Sequence, residues 1–310
     1  KDYYGYLAIF LLLFSFWHSL ISDKTKRIFK TVNTFLWISI ISLFAVFIMH
    51  TYALGLRWKI TDHAPWSNGY EALTFISWGA VLAGFLFIRS SKITLAGTSL
   101  LAFFILMTAG HSSFDPQLTN LQPVLKSYWL MIHVACITIS YGFLGLGFIL
   151  GLINVCNYLF LKSGNKNLKT IISELTYVNE MTLTIGLALA TIGTFLGGIW
   201  ANESWGRYWG WDAKETWALV IVLTYAVVLH LRLIPGLKSK FIFNVASILS
   251  FSSVLMTFIG VNYYLSKGLH SYARGETPAF PLWAWITIFS IFGIIIMAWF
   301  NKKRLKTVTS

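Results

Sequence analysis

Long apolar runs separated by short polar joints set the pattern of this chain. Nine stretches read as membrane-spanning helices, each of which needs about 20 mostly apolar residues. They lie at approximately 3–21, 34–54, 70–88, 93–110, 128–160, 181–200, 214–233, 241–265 and 282–300. The fifth is too long for one simple crossing, so it is expected to tilt or to continue beyond the bilayer as a helix. No repeat of solenoid length and no low-complexity segment interrupts the pattern. The fold class this predicts is all-α, a polytopic integral membrane helix bundle of about nine transmembrane spans.

Composition points the same way. The 310 residues are 56% hydrophobic, 17% aromatic and 11% charged, with a mean hydropathy of +0.68. A soluble globular chain carries about 25% charged residues, so this one cannot cover a soluble surface. Disorder, collagen-like repeats, coiled coils and disulfide-rich secreted scaffolds are excluded by the same figures. The two cysteines, Cys136 and Cys156, form no CxxC or CxxCH, which removes a zinc site, a thioredoxin motif and a c-type haem attachment site. The chain begins with Lys1 rather than Met, as expected of a segment cut from a longer product.

The net charge of +13 suggests a nucleic-acid partner until the charges are placed. With nine spans the joints alternate between two sides. One side holds 22–33, 89–92, 161–180, 234–240, the tail 301–310 and Arg232, and with them sixteen of the 24 basic residues. The other holds the remaining eight, Lys1, Arg57, Lys59, Lys126, Arg207, Lys214, Lys267 and Arg274. The positive-inside rule makes the first side, with the C-terminus, cytoplasmic. The basic excess is then a topology signal, and no nucleic-acid partner is expected. The outer face receives the long joints 55–69, 111–127, 201–213 and 266–281.

The densest chemical signal falls on that outer face, in GIWANESWGRYWGWDAKETW at 198–217. It holds Trp200, Trp205, Tyr208, Trp209, Trp211 and Trp217, with Gly206 and Gly210 among them and Asp212 and Glu215 after. An interfacial belt explains one or two aromatics per helix end, not six in so short a segment. Glycines beside aromatics let a flat ligand approach the backbone. The segment therefore reads as a platform for a large planar, apolar ligand.

Imidazole can ligate iron, and two axial imidazoles make a low-spin haem site. His133, near the outer end of the fifth span, and His270, in the joint after the eighth, share the face of the tryptophan segment. Together they read as a pair of axial ligands, and each alone reads as a hydrogen-bonded helix-end residue. His63 and His111 are outside too, so spacing leaves the pair open. His230 stands in the apolar run 218–231, and an ionisable group at membrane depth is a functional-site hypothesis. His18 lies at similar depth and is the in-chain candidate for the other half of a second, inner site. His50 reads as interfacial. Cys136, one turn from His133, reads as a small apolar filler.

WGRYWGWDAKETWALV at 205–220 resembles the tryptophan-rich WWD signature of haem-handling membrane proteins. The chain around it resembles the CcsA (ResC-type) cytochrome c biogenesis family. DHAPWSNGYEALTFISWG at 62–79 is similar to that family's segment before and into an early span. SYWLMIHVACITISYG at 127–142 resembles the segment bearing its first external histidine, and GVNYYLSKGLHSYA at 260–273 the segment bearing the second. On this resemblance 1–310 is one membrane domain: 60–310 is a CcsA-like haem-handling core, and 1–59 adds two N-terminal spans matched by hydropathy alone. One departure is Ala213, where the family usually has Pro after the WWD Asp, which weakens the expected helix start.

The resemblance implies a role in cytochrome c maturation. Haem b would be bound in the membrane, carried to the outer face and presented for thioether attachment to the CxxCH of apocytochrome c. His133 and His270 match the external axial ligands. His230, in VVLHLR, matches an intramembrane ligand whose partner comes from the CcsB (ResB-type) protein or, without motif support, from His18. Trp200, Trp205, Tyr208, Trp209, Trp211 and Asp212 form the platform. Arg207, Lys214, Lys267 and Arg274 are candidate partners of the haem propionates. Further expectations are a CcsB subunit or fused domain, a thioredoxin-like thiol reductant, a place in the inner or thylakoid membrane, and membership of a cytochrome c synthase complex without a protein nucleophile. Two alternatives are a haem chaperone of the other bacterial cytochrome c pathway and a non-haem small-molecule transporter. The 62–79 and 260–273 segments argue against the first, and a Soret band would exclude the second.

Overall fold

The computed structural model describes residues 1–20, 26–110, 116–118, 126–265 and 279–309. His111, Lys267, His270 and Arg274 lie outside the described residues. The helices are α1 (Asp2–Leu20), α2 (Lys26–Thr61), α3 (Gly69–Leu86), α4 (Ile93–Ala109), α5 (Tyr128–Phe160), α6 (Lys166–Trp205), α7 (Ala213–His230), α8 (Lys240–Tyr263) and α9 (Leu282–Thr309). Among the described residues there is no strand. Seven of the helices, α2, α3 and α5 to α9, are long and apolar enough to cross a membrane. The chain is an integral membrane helix bundle. The 17-residue α4 is shorter, and α1, with Asp2 and His18 near its ends, is not among the seven.

α5 fills the expected 128–160 and is too long for one straight crossing, while α6 runs well past the span expected of it. At 1.5 Å per residue the 33-residue α5 and 40-residue α6 are about 50 and 60 Å long, against a hydrocarbon core of about 30 Å. The joint expected at 161–180 is mostly the first four turns of α6. Leu168, Ile171, Ile172, Leu175 and Val178 recur at helical spacing and are buried, while Lys166, Lys169 and Glu174 are exposed. That pattern is an amphipathic helix, too charged to count as a span yet anchored on α5. Asn165 starts it, its side chain accepting from the Leu168 N–H at 3.0 Å. In the same way α2 continues through Thr61, into the joint expected at 55–69.

The core lies where α5 packs along α6, with α3, α4 and α8 against α5. Close approach requires Gly142 in α5, because a Cβ there would meet the Ala80 nitrogen at 2.8 Å and the Ile76 carbonyl at 2.9 Å. Small residues let membrane helices approach backbone to backbone. Interhelical amides add to this. Asn154 of α5 and Asn179 of α6 both donate to Asn244 Oδ1 of α8, at 3.2 and 3.1 Å. From α9, Asn301 Nδ2 donates to the carbonyls of Tyr158 (2.7 Å) and Leu161 (3.0 Å), satisfying acceptors that the end of α5 leaves unpaired.

The described parts of the joints expected at 55–69, 111–127 and 201–213 meet at one end of the bundle. There the last turns of α2 meet the start of α3, Trp66 just before α3 meets α5, and Ser127 meets Glu203 of α6. Near the same end, Thr257 of α8 donates to the Trp217 carbonyl of α7 at 3.3 Å.

Candidate functional site

His133 sits in the second turn of α5 with its ring against α6. Its Nδ1 lies 2.6 Å from the Gly193 carbonyl oxygen. A carbonyl only accepts, so Nδ1 carries the proton and Nε2 is the imidazole's lone-pair nitrogen. The ring also lies over Gly197, where a Cβ would stand 2.6 Å from Cε1 and 2.7 Å from Nδ1.

The turn before His133 is held from the segment that precedes α3. Trp66 Nε1 donates to the Met131 carbonyl at 3.2 Å. Trp66 belongs to a short segment folded around Glu71, whose carboxylate is 1% exposed and pairs with Arg57 Nε at 2.7 Å. The other Glu71 oxygen accepts from the Ser67 N–H (2.8 Å) and hydroxyl (2.7 Å). Asn68 caps α3 by accepting from the Glu71 N–H at 2.9 Å. Arg57 also donates to the carbonyls of Pro116 (3.0 Å) and Gln117 (3.1 Å). The sequence reading did not single out Arg57 and Glu71 as a pair. The available signal was the Asn68-x-x-Glu71 spacing of a helix start.

The tryptophan segment is built the same way around Glu215. α6 ends on Gly206, which takes the left-handed conformation (φ 71°) and donates to the Asn202 carbonyl at 2.9 Å. Trp211 is also left-handed, φ 57°, a costly conformation for a bulky residue. Asp212 then caps α7, accepting from the Glu215 N–H at 3.0 Å, while Glu215 reaches back to the Asp212 N–H at 3.4 Å. This capping box starts the helix at Ala213, so the absence of Pro there leaves the start well defined. Glu215 is 8% exposed; it also accepts from the Gly210 N–H at 2.6 Å and pairs with Arg207 at 3.3 Å. The Arg207 guanidinium lies across Gly210, where a Cβ would overlap it. Arg207, expected as a propionate partner, braces this turn through its pair with Glu215.

The aromatics divide into two groups. Trp200 is buried, 1% exposed, edge-on to Trp205 at 4.7 Å between centroids. Trp209 and Trp211 meet edge-on at 5.7 Å. Trp211 is 70% exposed, and Tyr208 is exposed beside it. The Trp209 Nε1–H is buried and meets no acceptor among the described residues.

The other histidines among the described residues are His18, His50, His63 and His230. His230 is the last residue of α7 and is exposed, with Nδ1 2.7 Å from its own helix's Ala226 carbonyl. It shares an outward face with Leu223 and Val227. The helix ends there in a 3₁₀ turn, Leu231–Leu233, whose Arg232 reaches Glu180 of α6. His18 is half-buried on Phe29. Its helix packs mainly on α2 and α4, whereas α7 packs mainly on α6 and α8. His50 is half-buried and hydrogen-bonded to Tyr4 at 3.2 Å. His63 Nδ1 lies 3.1 Å from the Ala64 carbonyl. Cys136 is half-buried with a free thiol.

Comparison with known proteins bears on this arrangement. Residues 66–270 match the family described as Cytochrome C assembly protein. Protein NrfI of Wolinella succinogenes is 47% identical over 231 residues, which are 74% of this chain and 26% of that protein. The cytochrome c biogenesis protein CcsA of Guillardia theta is 32% identical over 290 residues, covering 86% of this chain and 93% of that protein. The CcsA protein of Prochlorococcus marinus is 34% identical over 310 residues, covering 86% and 92%. The chain thus spans about a quarter of NrfI and nearly the whole length of these two CcsA relatives.

Proposed function

The chain belongs to the cytochrome c assembly family, and we propose that it serves cytochrome c maturation by holding haem at two depths and presenting it to apocytochrome c. The outer site uses His133 and His270 as axial ligands, beside Trp209, Trp211 and Tyr208. It faces away from the cytoplasm, a placement that the distribution of basic residues supports. The observation that carries this reading is the His133 hydrogen bond to the Gly193 carbonyl. Ligating histidines commonly donate their other ring N–H to a carbonyl or carboxylate, which fixes ring orientation and raises ligand basicity.

The neighbouring residues suit haem b. Its flat, apolar face matches indole rings, and its propionates would accept from the buried Trp209 N–H. Lys214, Lys267 and Arg274 supply positive charge for the same carboxylates. Haem is the substrate here, and its vinyl groups take up the CxxCH thiols of the acceptor. What the chain contributes is position, exclusion of water and an axial nitrogen. A thioredoxin-like reductant keeps the acceptor thiols reduced.

His230 belongs to the inner site. Its exposure on the outward face of α7 supports a ligand shared with another subunit, and His18 in the same chain has no contact that supports it. The partner is a CcsB-type protein, separate or fused.

The test is a pair of replacements, His133→Gly and His270→Gly, in the purified protein. Each should reduce haem content or change the absorption spectrum, and added imidazole should partly restore both. A double variant that keeps the spectrum of two-histidine ligation would remove this reading and turn attention to His63 or His111.

A further inference from the structure

We propose that Gly197 and Gly193 of α6 form a built seat that positions His133, so that the register of α5 against α6 decides where the outer axial nitrogen stands. The proposal rests on the reading of His133 as an axial ligand.

The register is visible in four contacts between these antiparallel helices. A Cβ on Gly197 would stand 2.6 Å from His133, and one on Gly193 would stand 2.8 Å from Ile137. Deeper, a Cβ on Gly186 would stand 2.6 Å from Leu144, and one on Gly147 would stand 2.4 Å from Leu183. Each step along α5 is matched by an equal step back along α6, as for one uninterrupted ladder. On every rung a large side chain fills the gap left by a glycine on the other helix. Three rungs are apolar. The outermost carries an imidazole where the others carry Ile or Leu.

Two features separate this rung from ordinary packing. The residue one turn below Gly197 on the same face, Gly193, offers its backbone carbonyl to Nδ1 at 2.6 Å. The ring is therefore held along one edge by a missing side chain and a fixed acceptor together. Residues four apart share a helix face, so one stretch of α6 supplies both. The seat places the ring and sets its tautomer together, which a histidine on a loose helix end would not achieve. Gly193 and Gly197 are positioning residues: they act on the ligand through His133.

The deciding experiment uses imidazole rescue in the purified protein. His133→Gly leaves a gap shaped like imidazole, and added imidazole should bind there and restore the two-ligand absorption spectrum. In His133→Gly with Gly197→Ala, the new Cβ stands 2.6 Å from where Cε1 stood and 2.7 Å from where Nδ1 stood, too close for a ring to return there. Rescue should then need at least about tenfold more imidazole, because overfilling a packed site costs that much or more. This double variant carries no ring for the Ala to strike, so it reads the seat even if Gly197→Ala alone folds poorly. Gly197→Ala with His133 present should shift the spectrum and the midpoint potential. Gly186→Ala, an equally tight rung without a histidine, should change stability and move the spectrum far less than Gly197→Ala does. Equal rescue of the single and double variants, or equal spectral changes from Gly186→Ala and Gly197→Ala, would overturn the seat. If His133→Gly itself keeps the two-histidine spectrum, the axial reading is what fails.

Discussion

Trp66 donates its indole N–H to the Met131 carbonyl at 3.2 Å, tying the segment before α3 to the turn of α5 just ahead of His133. The indole is also packed at 4.4 Å on Phe75 and at 5.6 Å on Trp58. Trp66→Phe keeps most of the packing and removes the donor, a loss of about 1 kcal/mol. The bundle should stay folded while haem occupancy of the outer site falls. The ratio of haem to protein absorbance measures this, and an unchanged ratio would mean that the α3 tie does not reach the ligand.

Glu71 and Arg57 carry the same support one layer further out. Glu71→Gln leaves a guanidinium facing a neutral amide in a buried setting, and removing one partner of such a pair costs about 3 kcal/mol. The thermal unfolding midpoint of the detergent-solubilised protein should drop clearly. Arg57→Lys keeps the charge but cannot span Glu71 and the carbonyls of Pro116 and Gln117 together, so it should give a smaller drop.

Around the second acidic anchor, Asp212→Ala removes the α7 cap and should cost about 1 kcal/mol. Glu215→Ala removes more, because the Gly210 N–H and Arg207 lose their partner with it. Both should loosen the turn carrying Trp209 and Trp211 and speed haem loss, Glu215→Ala the faster. Transfer of haem to an acceptor protein reads the rate directly.

Burial separates the tryptophans into two kinds of variant. Trp211→Ala and Trp209→Ala should each weaken haem retention by about 1 kcal/mol of ring contact, several-fold in affinity, and the double variant by far more. Trp200→Ala empties a buried volume and should destabilise the fold by about 3–5 kcal/mol. The haem titration and the unfolding curve should respond in opposite proportion for the two groups.

His230→Gly should starve the outer site of haem in cells although His133 and His270 are intact. Haem added to the purified variant should refill that site. Failure to refill a folded variant would make His230 part of the outer site's support rather than an upstream ligand.

The presence and order of the helices were legible because each depends on local rules: a run of apolar side chains and the hydrogen bonds of its own backbone. The start of α7 was legible too, since Asp212-x-x-Glu215 is a pattern within one turn. Span counting missed the first turns of α6, where Lys166 and Lys169 lower the average while Leu168 and Ile171 still face α5. It also gave no hint that His230 would point outward, because an apolar run does not say which side of a helix is covered.

His133 shows the division most sharply. Its type, its place near a helix end and its resemblance to a ligand segment were all present in the linear chain. Its acceptor, the Gly193 carbonyl, and its seat over Gly197 lie on another helix some 60 residues away. The same holds for Trp66 and Met131, and for the inward turn of Trp200 against the outward turn of Trp211. Local sequence decides where helices form, since it sets which backbone groups can pair within a turn. Tertiary packing decides which faces meet, because only when glycine gaps receive opposing side chains does the register settle, and with it the position of the imidazole.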